Sequence, residues 1–374
     1  MPPVSPAAVS TLGSVVAKSH PLDDKVAEAI RNALLQRHGT PAAAVKAEET
    51  APVVAAPVEA KLGAGQKWAS DVLGIKLRAV EDFPVTVLDK AKLPVQVAAL
   101  VPSIDPDYKV QKQEALRLLR GWEEGDKVLL TGPTGSGKSS LVRYLCALTN
   151  RPFIRVNMTG DTESSVLFGG LVVRSGSTVW EDGPVTEAVR YGAVLLVDEW
   201  ELMTPEISMG FQWLLEDEGK LYLKEMPGTS VDKLIDPHPN FRIVCGGNTV
   251  GQGDDTGAHA GTSPQNTATV DRFQTVIKLD YLGAEHEKQI IKKKHPTLPD
   301  GVIENMVKVA SLVRQANTQG TIGLTMSPRT LLNWGRKILT WGDPKLALTI
   351  AFLDKLRDTD KKVVTELYGK VFGR

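Results

Sequence analysis

The chain has 374 residues, 42% of them hydrophobic and 24% charged, which is enough for one large α/β domain with smaller attachments and a core of ordinary size. Lys plus Arg and Asp plus Glu each total 44, so the formal net charge is zero, and a general electrostatic pull toward nucleic acid or an anionic membrane is excluded as a driving feature. With no apolar run of about 18 residues, no charged segment leading into a short apolar one, and two cysteines (Cys146 and Cys245) far apart in apolar contexts, the expectation is a cytoplasmic protein with two reduced thiols and no disulfide or metal staple.

In chain order, residues 1–39 predict a small helical element. Val9, Leu12, Val15 and Val16 share one helical face, as do Val26, Ile30, Ala33 and Leu34, with Gly39 as the stop. Residues 40–66 are mostly Ala, Pro, Val, Lys and Glu without periodicity and read as a linker. From Lys127 the pattern becomes regular. Lys127–Thr131, Phe153–Val156, Val194–Asp198, Phe241–Cys245 and Thr275–Leu279 are apolar runs of strand length. Helical stretches separate most of them, one face being marked by Ile207, Phe211, Leu214 and Leu215. Alternating strands and helices predict a five-stranded parallel sheet with helices on both faces. After about Gly283 the strands stop and helices follow, read as Val302–Asn317, Pro328–Trp341 and Pro344–Arg357. The expected division is thus a nucleotide-binding α/β domain with a pre-core segment over 67–282 and a helical lid over 283–374.

The nucleotide assignment comes from one loop. Gly132-Pro133-Thr134-Gly135-Ser136-Gly137-Lys138-Ser139, with Ser140 behind it, follows a strand and opens a helix, fitting G-x-x-x-x-G-K-[ST] in its required context. Glycines let backbone N–H groups turn inward around a triphosphate, and the helix N-terminus adds partial positive charge. Lys138 is placed to reach the β- and γ-phosphates and Ser139 to ligate Mg²⁺. A chance match to the pattern is expected on the order of once per hundred such chains. ATP and Mg²⁺ are therefore the expected ligands.

Ala193-Val-Leu-Leu-Val-Asp198-Glu199 is a hydrophobic strand ending in two adjacent acids that alternation aims in different directions. Asp198 is assigned to the Mg²⁺ shell and Glu199 to polarising the attacking water. Phe241–Cys245 runs into Gly246-Gly247-Asn248-Thr249; alone Asn248 is a turn residue, but in this series it is a polar sensor of the γ-phosphate or the water. Arg272, in Asp271-Arg272-Phe273, either pairs with Asp271 at the surface or is a finger for a neighbouring subunit's site. Ser327-Pro328-Arg329 starts a lid helix with Pro at its first position, and Arg329 is a candidate second sensor.

The order of phosphate loop, Asp198-Glu199, Asn248, Arg272 and Arg329 resembles AAA+ ATPases of the MoxR-like, chelatase-related group. Within that group the chain is most similar to the ATPase subunit of aerobic cobaltochelatases. The likeness rests on Val72-Leu-Gly-Ile75, Val101-Pro-Ser-Ile-Asp-Pro-Asp-Tyr108, Asp236-Pro-His-Pro-Asn-Phe-Arg242, Asn248-Thr-Val-Gly-Gln-Gly-Asp254, Met326-Ser-Pro-Arg-Thr330 and Tyr368-Gly-Lys-Val-Phe-Gly373. It covers about residues 70 to 374, so the segment before Lys61 lies outside it. It implies an AAA+ core with a C-terminal helical lid, ATP hydrolysis in a homo-oligomeric, hexameric ring, and a partner carrying a von Willebrand factor A domain. It also implies two insertions, which Phe168–Asp182 and Gly219–Pro237 fit; Leu221, Tyr222 and Leu223 suit a small hairpin.

The leading functional expectation is an ATP-driven ring motor that remodels or activates a protein partner. A metal (cobalt) chelatase complex is the alternative setting, although nothing in the residues binds cobalt or a corrin ring. A nucleic-acid-translocating ring is the alternative of another class. Its best support is Lys292-Lys293-Lys294, which reads more simply as a solvated helix face without interleaved aromatics.

Overall fold

The computed structural model describes residues 61–249 and 266–373. The expected N-terminal helical element, almost all of the linker, and the end of the motif that begins at Asn248 lie outside those residues.

The core sheet has five strands, all parallel: β3 (Val128–Thr131), β4 (Phe153–Asn157), β7 (Val194–Asp198), β10 (Arg242–Gly247) and β11 (Thr275–Lys278), in the order β11-β3-β10-β7-β4. β3 and β7 are buried at every position, as continuous apolar runs must be when both faces of a sheet are covered. The edge strands β4 and β11 instead mix covered and exposed residues. Each strand sends alternate side chains to the two faces. Val128, Leu130, Val194, Leu196 and Val244 pack on α1 (Lys112–Glu124) and on α2 (Lys138–Leu148) through Leu118, Trp122, Leu141 and Leu145. Leu129, Leu195, Val197, Ile243 and Cys245 pack on α4 (Pro184–Tyr191) and α5 (Pro205–Leu215) through Val185, Val189, Ile207 and Phe211. Thr204 caps α5 by accepting a hydrogen bond from the Ile207 amide, with Pro205 at the first helical position. Burial pushes both the Cys146 and Cys245 thiols up, and both cysteines are free.

Both expected insertions are hairpins. A short helix, α3 (Ser164–Phe168), leads into β5 (Gly169–Arg174) and β6 (Ser177–Asp182), which pair in antiparallel register before α4. Leu171, Val173 and Val179 on this hairpin are exposed. The second pairs β8 (Leu221–Tyr222) with β9 (Leu234–Ile235) ahead of β10. In front of the core, β1 (Gln66–Trp68) and β2 (Pro84–Thr86) form a small antiparallel ribbon.

The lid comprises α6 (Ala284–Lys294), α7 (Asp300–Thr318), α8 (Pro328–Trp341), α9 (Pro344–Ala351) and α10 (Asp358–Phe372), closed around Met306, Val313, Leu331, Trp334, Leu348 and Phe352. α8 spans the predicted range. The helix expected over Pro344–Arg357 does not: it ends at Ala351, followed by a 3-10 turn over Leu353–Lys355 and the start of α10 at Asp358. Ala347, Leu348 and Ala351 form the buried face of α9, and continuing it would carry Asp354 and Lys355 inward. Phe352 leaves helical geometry at φ −140°, ψ −52°. That break buries Phe352, Leu353 and Leu356 and keeps the two charges out.

Candidate nucleotide site

The site lies at the C-terminal ends of β3, β7 and β10, where parallel strands leave a crevice. A cavity of about 530 Å³ is lined by residues 134–140 together with Tyr108, Arg155, Asp198, Glu199, Asn248 and Arg329. Gly132 sits at φ +142°, and a Cβ there would lie 2.0 Å from the Leu279 carbonyl oxygen at the end of β11. Gly135, at φ +79°, would drive a Cβ to 2.7 Å from Cβ of the lid residue Ser327. The loop is therefore pressed between core and lid with no room for side chains at these points. Ser136 Oγ is buried with no partner among the described residues, an orphan of the sort that a ligand phosphate satisfies. Lys138 is buried at the start of α2, and its ammonium donates to the carbonyls of Gly132 (2.7 Å) and Pro133 (3.4 Å) and to Asn248 Oδ1 (3.2 Å). Burial lowers its pKa, while the Asp198, Glu201 and Glu199 carboxylates act in the opposite sense. A desolvated cation beside inward-turned backbone fits a nucleotide's phosphates.

Asp198 ends β7 almost covered, at 6% exposure. Its Oδ2 accepts from Ser139 Oγ at 2.6 Å and also lies 2.7 Å from an Arg155 nitrogen. The hydroxyl and carboxylate oxygens are hard donors side by side, which fits Mg²⁺, a cation that keeps most of its waters and takes few protein ligands. No group of three or more His, Cys, Asp or Glu able to hold a metal occurs among the described residues. Glu199 takes the left-handed conformation (φ 55°, ψ 39°), which turns it out of the strand line into the cavity wall, exposed. Asn248 reaches Lys138 and Ser139 reaches Asp198, so the ends of β3, β7 and β10 meet around the loop.

The two arginines part company. Arg329, in the first turn of α8, lines the cavity and makes no ion pair among the described residues. Its helix is capped by Ser327, whose Oγ accepts from the Thr330 amide at 3.3 Å. Arg272 does not line the cavity. It pairs with Glu216 at 2.9 Å, where Asp271 was the surface partner expected, and also donates to the Ala268 carbonyl at 2.7 Å. The Lys292-Lys293-Lys294 run is engaged as well. Lys293 and Lys294 meet Asp107 at 2.6 and 3.3 Å, and Lys292 meets Asp300 at 2.7 Å.

Several site residues had no motif to announce them. Glu201, 2% exposed, accepts from the Asn248 amide (3.1 Å) and from the Thr249 amide and hydroxyl (both 2.5 Å), so it holds the Asn248 turn. Tyr281, just after β11, donates its hydroxyl to the Thr134 carbonyl at 3.0 Å, and the Arg314 guanidinium lies 4.2 Å above its ring. Arg314 in turn grips the buried Glu287 with two bonds of 2.8 and 2.9 Å and donates to the Met326 carbonyl. Tyr108, whose phenol burial pushes up, rests on Tyr144 at 4.6 Å beside Gly137. Within the stretch Val101–Tyr108 that carries part of the family likeness, Tyr108 lines the cavity, while Ile104 is exposed.

Two family models match. Residues 127–273 match an AAA domain of the dynein-related subfamily, and residues 287–369 match the CbbQ/NirQ/NorQ C-terminal domain. The chain is 34% identical over 283 residues to the aerobic cobaltochelatase subunit CobS of a Sinorhizobium species, covering 74% of this chain and 84% of that protein. It is 29% identical over 237 residues to an uncharacterized protein of Staphylococcus haemolyticus, covering 62% of this chain and 84% of the relative. Among solved structures, the Thermotoga maritima RuvB Holliday junction branch migration motor aligns at TM-score 0.40 and 17% identity, covering 72% of each chain.

Proposed function

We propose, on the premise that this chain belongs to the MoxR- and CobS-like AAA+ ATPases, that it works as a homo-oligomeric, hexameric ring that uses ATP hydrolysis to remodel or activate a protein partner. The observation that carries the reading is that two pairs, Lys138 with Asn248 and Ser139 with Asp198, each within hydrogen-bond reach, meet beneath the glycine loop. Lys138 leaves its backbone carbonyls to bind the β- and γ-phosphates, and the 132–137 amides surround them. Ser139 and Asp198 would hold Mg²⁺, which would supply charge neutralisation at the phosphate oxygens. Glu199 takes a proton from the attacking water, Asn248 orients that water or the γ-phosphate, and Arg329 draws the lid onto the nucleotide. Arg272 acts on the neighbouring subunit's site, which is consistent with its standing outside its own cavity, and must leave Glu216 to do so.

Glu199→Gln is expected to bind ATP normally and to lose about 10²–10⁴-fold in turnover. Arg272→Ala is expected to assemble and bind ATP yet hydrolyse it about a thousandfold more slowly. Phosphate release together with mass photometry of the assembly reads both. Normal turnover in either variant removes that residue's role. For the partner, the Glu199→Gln protein held in ATP serves as bait in the native host. A von Willebrand factor A protein recovered with a large chelatase subunit makes this a metal-insertion motor, the reading that the 34% likeness to CobS favours. Other proteins make it a remodeller of a different target. The nucleic-acid reading loses its best support in the pairing of Lys293 and Lys294 with Asp107.

A further inference from the structure

Arg155 carries no role in the account so far, yet it touches the centre of the site. It lies on the edge strand β4, where alternation turns it away from the core with Asn157, and its side chain is half exposed. Instead of extending into solvent it reaches across to β7 and sets a nitrogen 2.7 Å from Asp198 Oδ2. That oxygen is the one that accepts from Ser139 Oγ. A carboxylate as covered as Asp198 requires a counter-charge. Lys138 is committed to two carbonyls and Asn248, so the guanidinium is the cation in direct contact. A divalent cation held by Asp198 and Ser139 would compete with the guanidinium for the same carboxylate, and like charges drawn to one group repel. Of the two, the half-exposed arginine has solvent to move into.

We propose that Arg155 is a positioning residue that stands in for the metal between turnovers. Its guanidinium holds Asp198 toward Ser139 while the site is empty, competes with Mg²⁺ for the carboxylate, and returns to expel the metal with the spent diphosphate. The proposal rests on Asp198 and Ser139 being the metal-holding pair. Competition for one oxygen lowers the empty site's affinity for Mg²⁺ and speeds release of Mg-ADP, without any part in cutting the phosphate bond.

The test is binding of a fluorescent N-methylanthraniloyl ADP, titrated with MgCl₂, with release followed by stopped flow. In Arg155→Gln the half-saturating Mg²⁺ concentration is expected to fall roughly five- to tenfold, in the usual range of coupling between competing sites, and release of the nucleotide to slow by a similar factor. Arg155→Lys, which keeps the charge, is expected to restore most of the wild-type Mg²⁺ requirement. Arg155→Met, apolar and of similar length, carries the same expectation as Arg155→Gln should the latter not fold. An unchanged or raised Mg²⁺ requirement overturns the proposal, as does weaker nucleotide binding in EDTA, which marks a phosphate-binding arginine instead. Asp198→Asn is the separate control. If it keeps the wild-type Mg²⁺ dependence, the metal assignment fails, whatever Arg155 does.

Discussion

At the scale of single residues, the site is held by groups whose freedom has been removed. Gly132→Ala sets a Cβ 2.0 Å from the Leu279 carbonyl in a backbone conformation that L side chains avoid. It is expected to cost about 2 kcal/mol or more, a fall of roughly 5 °C in Tm, and to abolish ATP binding; calorimetry of the variant reads both. Glu201→Gln keeps the size of the side chain but removes the charge that two amides and a hydroxyl share. It is expected to lower kcat by about tenfold through a misplaced Asn248, with KM for ATP little changed. An unchanged kcat per folded molecule, with only the melting temperature lowered, would make Glu201 a stability residue only. The residues legible in sequence were those whose spacing is dictated by the phosphates. Lys138, Ser139, Asp198, Asn248 and Arg329 all line or meet at the cavity. Arg155 and Glu201 were not legible, because each acts through a neighbour on another strand or turn, a relation that spacing along one segment does not encode. Glu201 stands two places beyond the acidic pair and Arg155 on the outward alternation of β4; each pattern is common on any surface.

Among the elements, lid and core are joined by a chain of specific contacts. From the Thr134 carbonyl the contacts run to the Tyr281 hydroxyl, then to Arg314 over the ring, then to Glu287 and the Met326 carbonyl. Met326 immediately precedes the cap of α8, which carries Arg329. Glu287 is 2% exposed, so Arg314→Ala leaves a buried carboxylate without its partner and is expected to cost about 3–5 kcal/mol. The double variant Arg314→Ala with Glu287→Ala is expected to be more stable than Arg314→Ala alone, and a double-mutant cycle from urea melts measures the difference. Additive losses would show that the pair is not coupled. Strands and the range of α8 could be read from sequence because apolar runs and a Pro-capped start are local signals. The break after Ala351 could not, since Phe352 and Leu353 extend an apolar pattern and only the charges at Asp354 and Lys355, weighed against a packed lid, force the turn.

For the whole molecule, zero net charge and a lysine run partly neutralised by Asp107 and Asp300 make apolar and polar contacts, not long-range fields, the means by which the proposed ring would assemble. Assembly measured by sedimentation is therefore expected to change less than about threefold in midpoint concentration between 0.05 and 0.3 M salt. Dissociation over that range would place the Arg272 and Glu216 charges at the heart of the contact. The division into an α/β core and a helical lid follows from where strands stop in the sequence, whereas which face of the sheet each helix covers had to come from packing. Two apolar clusters flank the sheet and one fills the lid, and a fully buried tryptophan sits in each: Trp122 on the buried face of α1, Trp200 just after β7 and Trp334 in the lid. Of the seven tryptophans, these three thus give the protein one fully covered light source in each layer. Single Trp→Phe replacements let the emission of each be subtracted in turn. During urea unfolding the colour shifts of Trp122 and Trp200 are expected to coincide, because one sheet underlies both. Trp334 is expected to redden at lower urea if the lid melts as its own cooperative unit, and a common midpoint for all three would mean that lid and core live or die together.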